Sequence, residues 1–113
     1  MYNKTKMSIF IKGVVKVWGK DGCPHCKHAM ALLDDIVVGQ VVYTSLDKER
    51  DPSEYTRLRE GLRTIAPHHN TFPWIFFGQE FIGGYSELHS LYISGELVDV
   101  AARNNLFLHE DNF

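Results

Sequence analysis

Val14 to Trp18 is nearly all apolar and rich in valine, the pattern of a strand buried on both faces. Gly19 to Gly22 breaks it. From Cys23 the period changes: Cys26, Met30, Leu33 and Val37 recur at helical spacing and form one inward stripe. Gly39 ends that helix, and Val41 to Leu46 predicts a second strand. Asp51-Pro52-Ser53-Glu54 reads as a helix start, with Asp51 as cap, Pro52 in the first turn and Glu54 at the capping-box position. Tyr55, Leu58 and Leu62 supply the apolar face of that helix.

Pro67 to Asn70 is a polar break, followed by the dense apolar strand Trp74 to Phe77. Gly78-Gln79 predicts a hairpin turn into Glu80 to Ile82, and Gly83-Gly84 closes the sheet region. A last helix starts near Ser86, turns Leu88, Leu91 and Tyr92 inward, pauses near Gly95 and resumes through Leu97, Val100 and Ala101. From Asn104 the pattern is weak. The order strand, helix, strand, helix, strand, strand, helix defines an α/β class. It predicts a four-stranded mixed sheet flanked by helices.

Composition narrows the function. With 113 residues the chain makes one domain, and 44% hydrophobic residues is an ordinary globular share. A net charge of −2 gives no electrostatic case for nucleic acid. No apolar run approaches the roughly 18–20 residues that span a bilayer. Lys12 and Lys16 interrupt the apolar stretch near the N-terminus, and no small-residue cleavage site follows, so no secretory signal is expected. A monomeric, cytoplasmic protein without a membrane partner is the expectation.

The two cysteines carry the chemistry. They stand three apart in Gly22-Cys23-Pro24-His25-Cys26, and a C-x-x-C pair opening the first helix of a βαβ unit is a thioredoxin-like redox signature. Residues so spaced on a first helical turn have Cα atoms roughly 5–5.5 Å apart, within the range of about 4.4–6.8 Å that a disulfide accepts. Cys23 falls at the helix start, where free N–H groups and the helix dipole stabilise a thiolate, and Lys20 stands three residues upstream. Cys26 lies on the buried stripe. Cys23 is therefore the expected nucleophile and Cys26 the resolving thiol. A zinc site built from Cys23, Cys26, His28 and His68-His69 is the rival, weakened by the lack of a second well-spaced ligand pair. His68, His69, His89 and His109 otherwise read as solvated or capping histidines.

Two further segments point to a binding groove. Thr71-Phe72-Pro73 precedes a buried strand and faces the cysteine turn in this topology, a place for a cis peptide bond that would leave the Phe72 backbone open to an extended ligand. An ordinary trans turn proline is the plainer alternative. Gly83-Gly84-Tyr85-Ser86-Glu87 joins a strand to a helix start, where glycines allow close approach and the helix N-terminus offers donors to a carboxylate. Ser86 reads equally as the helix cap.

Lys20-Asp21-Gly22-Cys23-Pro24-His25-Cys26, Thr71-Phe72-Pro73-Trp74-Ile75-Phe76, Ile82-Gly83-Gly84-Tyr85-Ser86-Glu87-Leu88 and Ser94-Gly95-Glu96-Leu97, in this order and spacing, resemble glutaredoxin. The resemblance runs from about Val14 to Asn104. It leaves residues 1–13 as an N-terminal extension and residues 105–113 as a C-terminal tail around a domain of residues 14–104. It implies a thioredoxin-like fold and a dithiol enzyme. That enzyme would reduce protein disulfides and protein–glutathione mixed disulfides, with glutathione as co-substrate and no tightly bound cofactor or metal. Disulfide-bearing or glutathionylated proteins would be its partners, ribonucleotide reductase among the conceivable clients. Cys23 would take the glutathionyl group and Cys26 would resolve protein disulfides. Lys20 would meet the glycine carboxylate of glutathione, and the Phe72 backbone ahead of Pro73 would pair with its cysteine moiety. Gly84, Tyr85 and Ser86 would hold the γ-glutamyl end, with Thr71 lining the groove. His25 stands where the family commonly has tyrosine, Phe72 where it has valine, and Glu87 where it has aspartate. An imidazolium at His25 would stabilise the Cys23 thiolate. Single-cysteine relatives carry an iron–sulfur cluster between two chains. Pro24 beside Cys23 and the presence of Cys26 argue against that alternative.

Overall fold

The central strand of the sheet is the one whose four residues are all apolar. In the computed structural model, which describes residues 13–109, β4 (Trp74–Phe77) is buried along its whole length. It pairs antiparallel with β1 (Val14–Gly19) on one side and with β5 (Glu80–Gly83) on the other; β3 (Gln40–Ser45) adds to β1 in parallel. The sheet order β3-β1-β4-β5 is the four-stranded mixed sheet expected.

Helices cover both faces. Helix α1 (Pro24–Ile36), α3 (Tyr85–Ser94) and α4 (Leu97–Arg103) bring Leu33, Ile36, Leu88 and Leu97 onto Val15, Val17, Ile75 and Phe77. Helix α2 (Pro52–Ile65) covers the other face, where Leu62 meets Leu46, Trp74 and Phe76. The alternation along β4 sends Ile75 and Phe77 to one layer and Trp74 and Phe76 to the other, as a strand's two-residue period requires.

Several local readings need correction. Strand β1 is buried on one face only: Val15 and Val17 are inaccessible, while Lys16 and Trp18 are half-exposed. The Lys16 ammonium reaches Thr44 Oγ1 and stands 4.2 Å from the Trp18 ring, and burial lowers its pKa. Helix α1 stops at Ile36, so Val37 leaves the stripe. The buried positions are Cys26, Ala29, Leu33 and Ile36, with Met30 half-exposed. Val37–Val38 forms a short strand, β2, paired antiparallel with β6 (Phe107–Leu108). The weak pattern beyond Asn104 thus hides a strand and a core residue, Leu106, 1% exposed. Asp51 does cap α2 through Glu54 N–H, but the capping box is not formed. Glu54 turns to Arg57, and Asp51 N–H bonds Asp47 O. Residues 1–12, and with them nearly all of the N-terminal extension, lie outside the described residues. No described helix is long and apolar enough to cross a membrane.

The register positions the site. Trp18 pairs with Trp74, so the chain leaving β1 toward Cys23 runs beside the chain entering β4 from Phe72-Pro73.

Candidate active site

Cys23 is the N-cap of α1, with extended backbone (φ −92°, ψ 111°), and Pro24 opens the helix without losing an intrahelical bond. The Cys26 N–H donates to Cys23 Sγ at 3.2 Å. The first turn of α1 contains no acidic residue. A thiolate at Cys23 would therefore receive a backbone donor and the positive end of the helix dipole with no opposing carboxylate in that turn. The two cysteines are joined in a disulfide with Cα atoms 5.2 Å apart, and both are covered, Cys23 6% and Cys26 2% exposed.

Phe72 forms the wall facing them. The Phe72–Pro73 bond is cis, and the Phe72 carbonyl oxygen lies 3.9 Å from Cys23 Sγ. Two cations flank the Phe72 ring, Lys20 Nζ at 5.7 Å and the Arg59 guanidinium at 5.1 Å from its centre. Arg59 was not singled out by the sequence pattern. Its signal is positional: it stands four residues after Tyr55 and three before Leu62, on the margin of the inward face of α2. One of its nitrogens, NH1, is buried with no hydrogen-bond partner among the described residues. The Lys20 backbone is held from β3, where the Tyr43 hydroxyl donates to Lys20 O at 3.3 Å, and Ser45 Oγ donates to Asp21 at 2.8 Å. Burial and, after it, the nearby Asp21 charge raise the Tyr43 pKa. Thr71 is exposed on the rim beside Phe72.

The start of α3 lies beside the Pro73 loop. The Tyr85 ring stacks near His25 (centroids 6.5 Å apart, planes 27° from parallel) and lies 5.6 Å from His28 and 5.8 Å from His89. Gly84, not Ser86, is the helix cap, and its N–H is taken by Glu87 Oε1 at 2.7 Å. The Gly84 amide is therefore engaged within the protein, whereas the amides of Tyr85 and Ser86, in the first turn, have no intrahelical acceptor. A Cβ on Gly84 would sit 3.5 Å from Pro73 O, which shows how closely the two segments meet.

Phe72 thus meets Cys23 and Lys20, the Cys26 partner of Cys23 lies beneath, Gly84 stands beside Pro73, and His25 stacks near Tyr85, while Ser86 is exposed in the first turn of α3 with Glu87 as its neighbour. The zinc ligand set does not assemble: no three His, Cys, Asp or Glu among the described residues are placed to hold a metal ion. His69 is half-buried against Trp74 rather than solvated.

A mixed four-stranded sheet with helices on both faces, a C-x-x-C disulfide at the cap of the helix after its first strand, and a cis-proline carbonyl loop facing it define a thiol–disulfide oxidoreductase of thioredoxin-like fold. A family model described as Glutaredoxin matches residues 15–82. Glutaredoxin-1 of Homo sapiens is 33% identical over 91 residues, covering 76% of this chain and 79% of that one. The solution structure of a dithiolic glutaredoxin from Trypanosoma brucei brucei superposes with a TM-score of 0.62 at 32% identity, covering 86% of this chain and 93% of the other. A buckwheat glutaredoxin–glutathione complex shares the fold, with a TM-score of 0.68 at 21% identity over 92% of this chain and 89% of that one. The chain belongs to the glutaredoxin family.

Proposed function

We propose that the protein is a glutathione-dependent oxidoreductase that reduces glutathione mixed disulfides and protein disulfides through Cys23 and Cys26. The observation that carries this reading is Cys23 Sγ at the helix cap, accepting the Cys26 N–H and standing 3.9 Å from the Phe72 carbonyl, with two cations beside Phe72.

In the first step the Cys23 thiolate attacks the glutathione sulfur of a mixed disulfide. A new S–S bond forms at Cys23, and the substrate sulfur leaves as a thiolate and takes a proton from water. A second glutathione thiolate then attacks the sulfur of the bound glutathione, releasing oxidised glutathione and restoring the Cys23 thiolate. With a protein disulfide, Cys23 forms the mixed disulfide with the protein. Cys26, as its thiolate, then attacks Cys23 Sγ, which gives the intramolecular disulfide and a reduced protein; two glutathiones reduce the enzyme again.

In this reading Lys20 and Arg59 hold the glycine carboxylate, and the Phe72 backbone pairs with the cysteine moiety as an added strand does. Pro73 and Thr71 shape the groove. The first-turn amides of Tyr85 and Ser86 receive the γ-glutamyl carboxylate, with Gly84 giving backbone access and His25 covering the Tyr85 side. The reading suits a monomer working in a reducing compartment such as the cytoplasm, and a disulfide client such as ribonucleotide reductase falls within its scope.

The test is turnover of a small glutathione mixed disulfide with glutathione, glutathione reductase and NADPH. The parent and Cys26→Ser are expected to be active and Cys23→Ser inert. An inert parent, or an active Cys23→Ser, overturns the reading.

A further inference from the structure

Pro73 is buried, and its carbonyl lies one residue outside the β1–β4 pairing that begins at Trp74. A buried carbonyl needs a donor. His69 provides it, with Nε2 3.1 Å from Pro73 O; because a carbonyl only accepts, Nε2 carries the hydrogen. The residue is held at other points as well. Its backbone N–H bonds Ala66 O at 3.1 Å, and its ring meets Trp74 edge-on at 4.6 Å and Phe81 at 5.3 Å. Its Cε1 lies 3.2 Å from where a Cβ of Gly84 would stand. One ring therefore holds the Phe72-Pro73 loop by a hydrogen bond and fills the space beside Gly84 that a Cβ would need.

We infer that His69 is a positioning residue that sets the place of the Phe72 carbonyl relative to Cys23 by holding the carbonyl of the next residue, Pro73. It acts on the sulfur only through Pro73. The inference deepens the groove reading above and rests on it for the glutathione substrate. Exchange with an extended peptide disulfide uses the same Phe72 backbone and tests the inference independently.

Three variants separate the parts. His69→Phe keeps the ring and drops the donor, His69→Gln keeps an N–H at similar reach and drops the ring, and His69→Ala loses both. Each is assayed on a glutathione mixed disulfide, and on insulin disulfides with dithiothreitol as reductant. Alkylation of reduced Cys23 by iodoacetamide, which needs no groove, is the control. Loss of one net hydrogen bond predicts a fall of about 5-fold in kcat/KM for His69→Phe on both substrates, carried by KM. His69→Gln should stay within about 2-fold of the parent, His69→Ala should fall at least as far as His69→Phe, and alkylation rates should be unchanged throughout. His69→Phe equal to the parent on both substrates overturns the inference. So does His69→Gln as impaired as His69→Phe, or alkylation falling in step with turnover. A parent inert on the mixed disulfide but active on insulin sinks the glutathione reading alone, and His69 is then judged on insulin.

Discussion

The two cations beside Phe72 should contribute unequally to glutathione binding. Lys20 is exposed, so its attraction to a carboxylate is solvent-screened and worth roughly 0.2–1 kcal/mol, a factor of about 1.5–5. Arg59 is half-buried. A carboxylate that meets the half-buried guanidinium beside Phe72 is less screened by water than one at Lys20, and a charge-assisted hydrogen bond there is worth about 1.5–3 kcal/mol, a factor of roughly 10–150. Arg59→Ala should therefore lower kcat/KM for a glutathione mixed disulfide more than Lys20→Ala does. Salt separates them further. Between 0.05 and 1 M salt the screening length falls to about 3 Å, which should erase most of the Lys20 effect and leave most of the Arg59 effect. The assay is the coupled NADPH reaction for the parent and both variants at the two salt concentrations, with Cys23 alkylation checking that the thiol is intact. An Arg59→Ala loss no larger than that of Lys20→Ala, or equal salt sensitivity in the two variants, refutes the ranking of the two cations.

Leu106→Ala should cost about 3 kcal/mol, because Leu106 sits fully inside the α1–sheet core; an unfolding free energy within about 1 kcal/mol of the parent in urea titration would deny it that place. Glu80 accepts two hydrogen bonds from Arg103, at 2.9 and 2.5 Å, and one from Asn104, and these hold its carboxyl below the usual range. The folded-state pKa is depressed, so its stabilisation is present above the ordinary glutamate value near ~4.3 and is lost as pH falls through the folded value. Urea midpoints of the parent and Glu80→Gln should differ at pH 6 and draw together as the pH is lowered below the ordinary glutamate range; a constant gap contradicts the linkage.

The elements that could be read from the chain are those whose cause is local. Trp74 to Phe77 announces a central strand because four consecutive apolar residues have no exposed side to offer, and Asp51 announces a helix because its carboxylate reaches an amide three residues on. The C-x-x-C pair and Pro73 were legible for the same reason: their geometry is set by spacing and by the proline ring. What escaped depends on partners distant in sequence. Val37 fits the helical stripe as well as a strand, and its pairing with Leu108 decides the matter. Gly84 looked like an open donor until Glu87 took its N–H, and Arg59 and His69 acquire meaning only where α2 and the loop after it meet Phe72 and Pro73. The valines of β1 suit a doubly buried strand equally well, because valine marks strand surfaces without telling which face α2 leaves open.

The β2–β6 ribbon brings Phe107, Leu108 and His109 back to the foot of α1, where His109 N–H bonds Ile36 O at 2.8 Å. Cys23 caps the other end of that 13-residue helix, about 20 Å away at 1.5 Å per residue. A client joined after His109 consequently starts out of reach of the sulfur. It needs roughly six or more extended residues of linker to bring its own disulfide to Cys23, so linker length becomes a direct control over whether a fused sensor reports on its own enzyme or on the surrounding thiol pool.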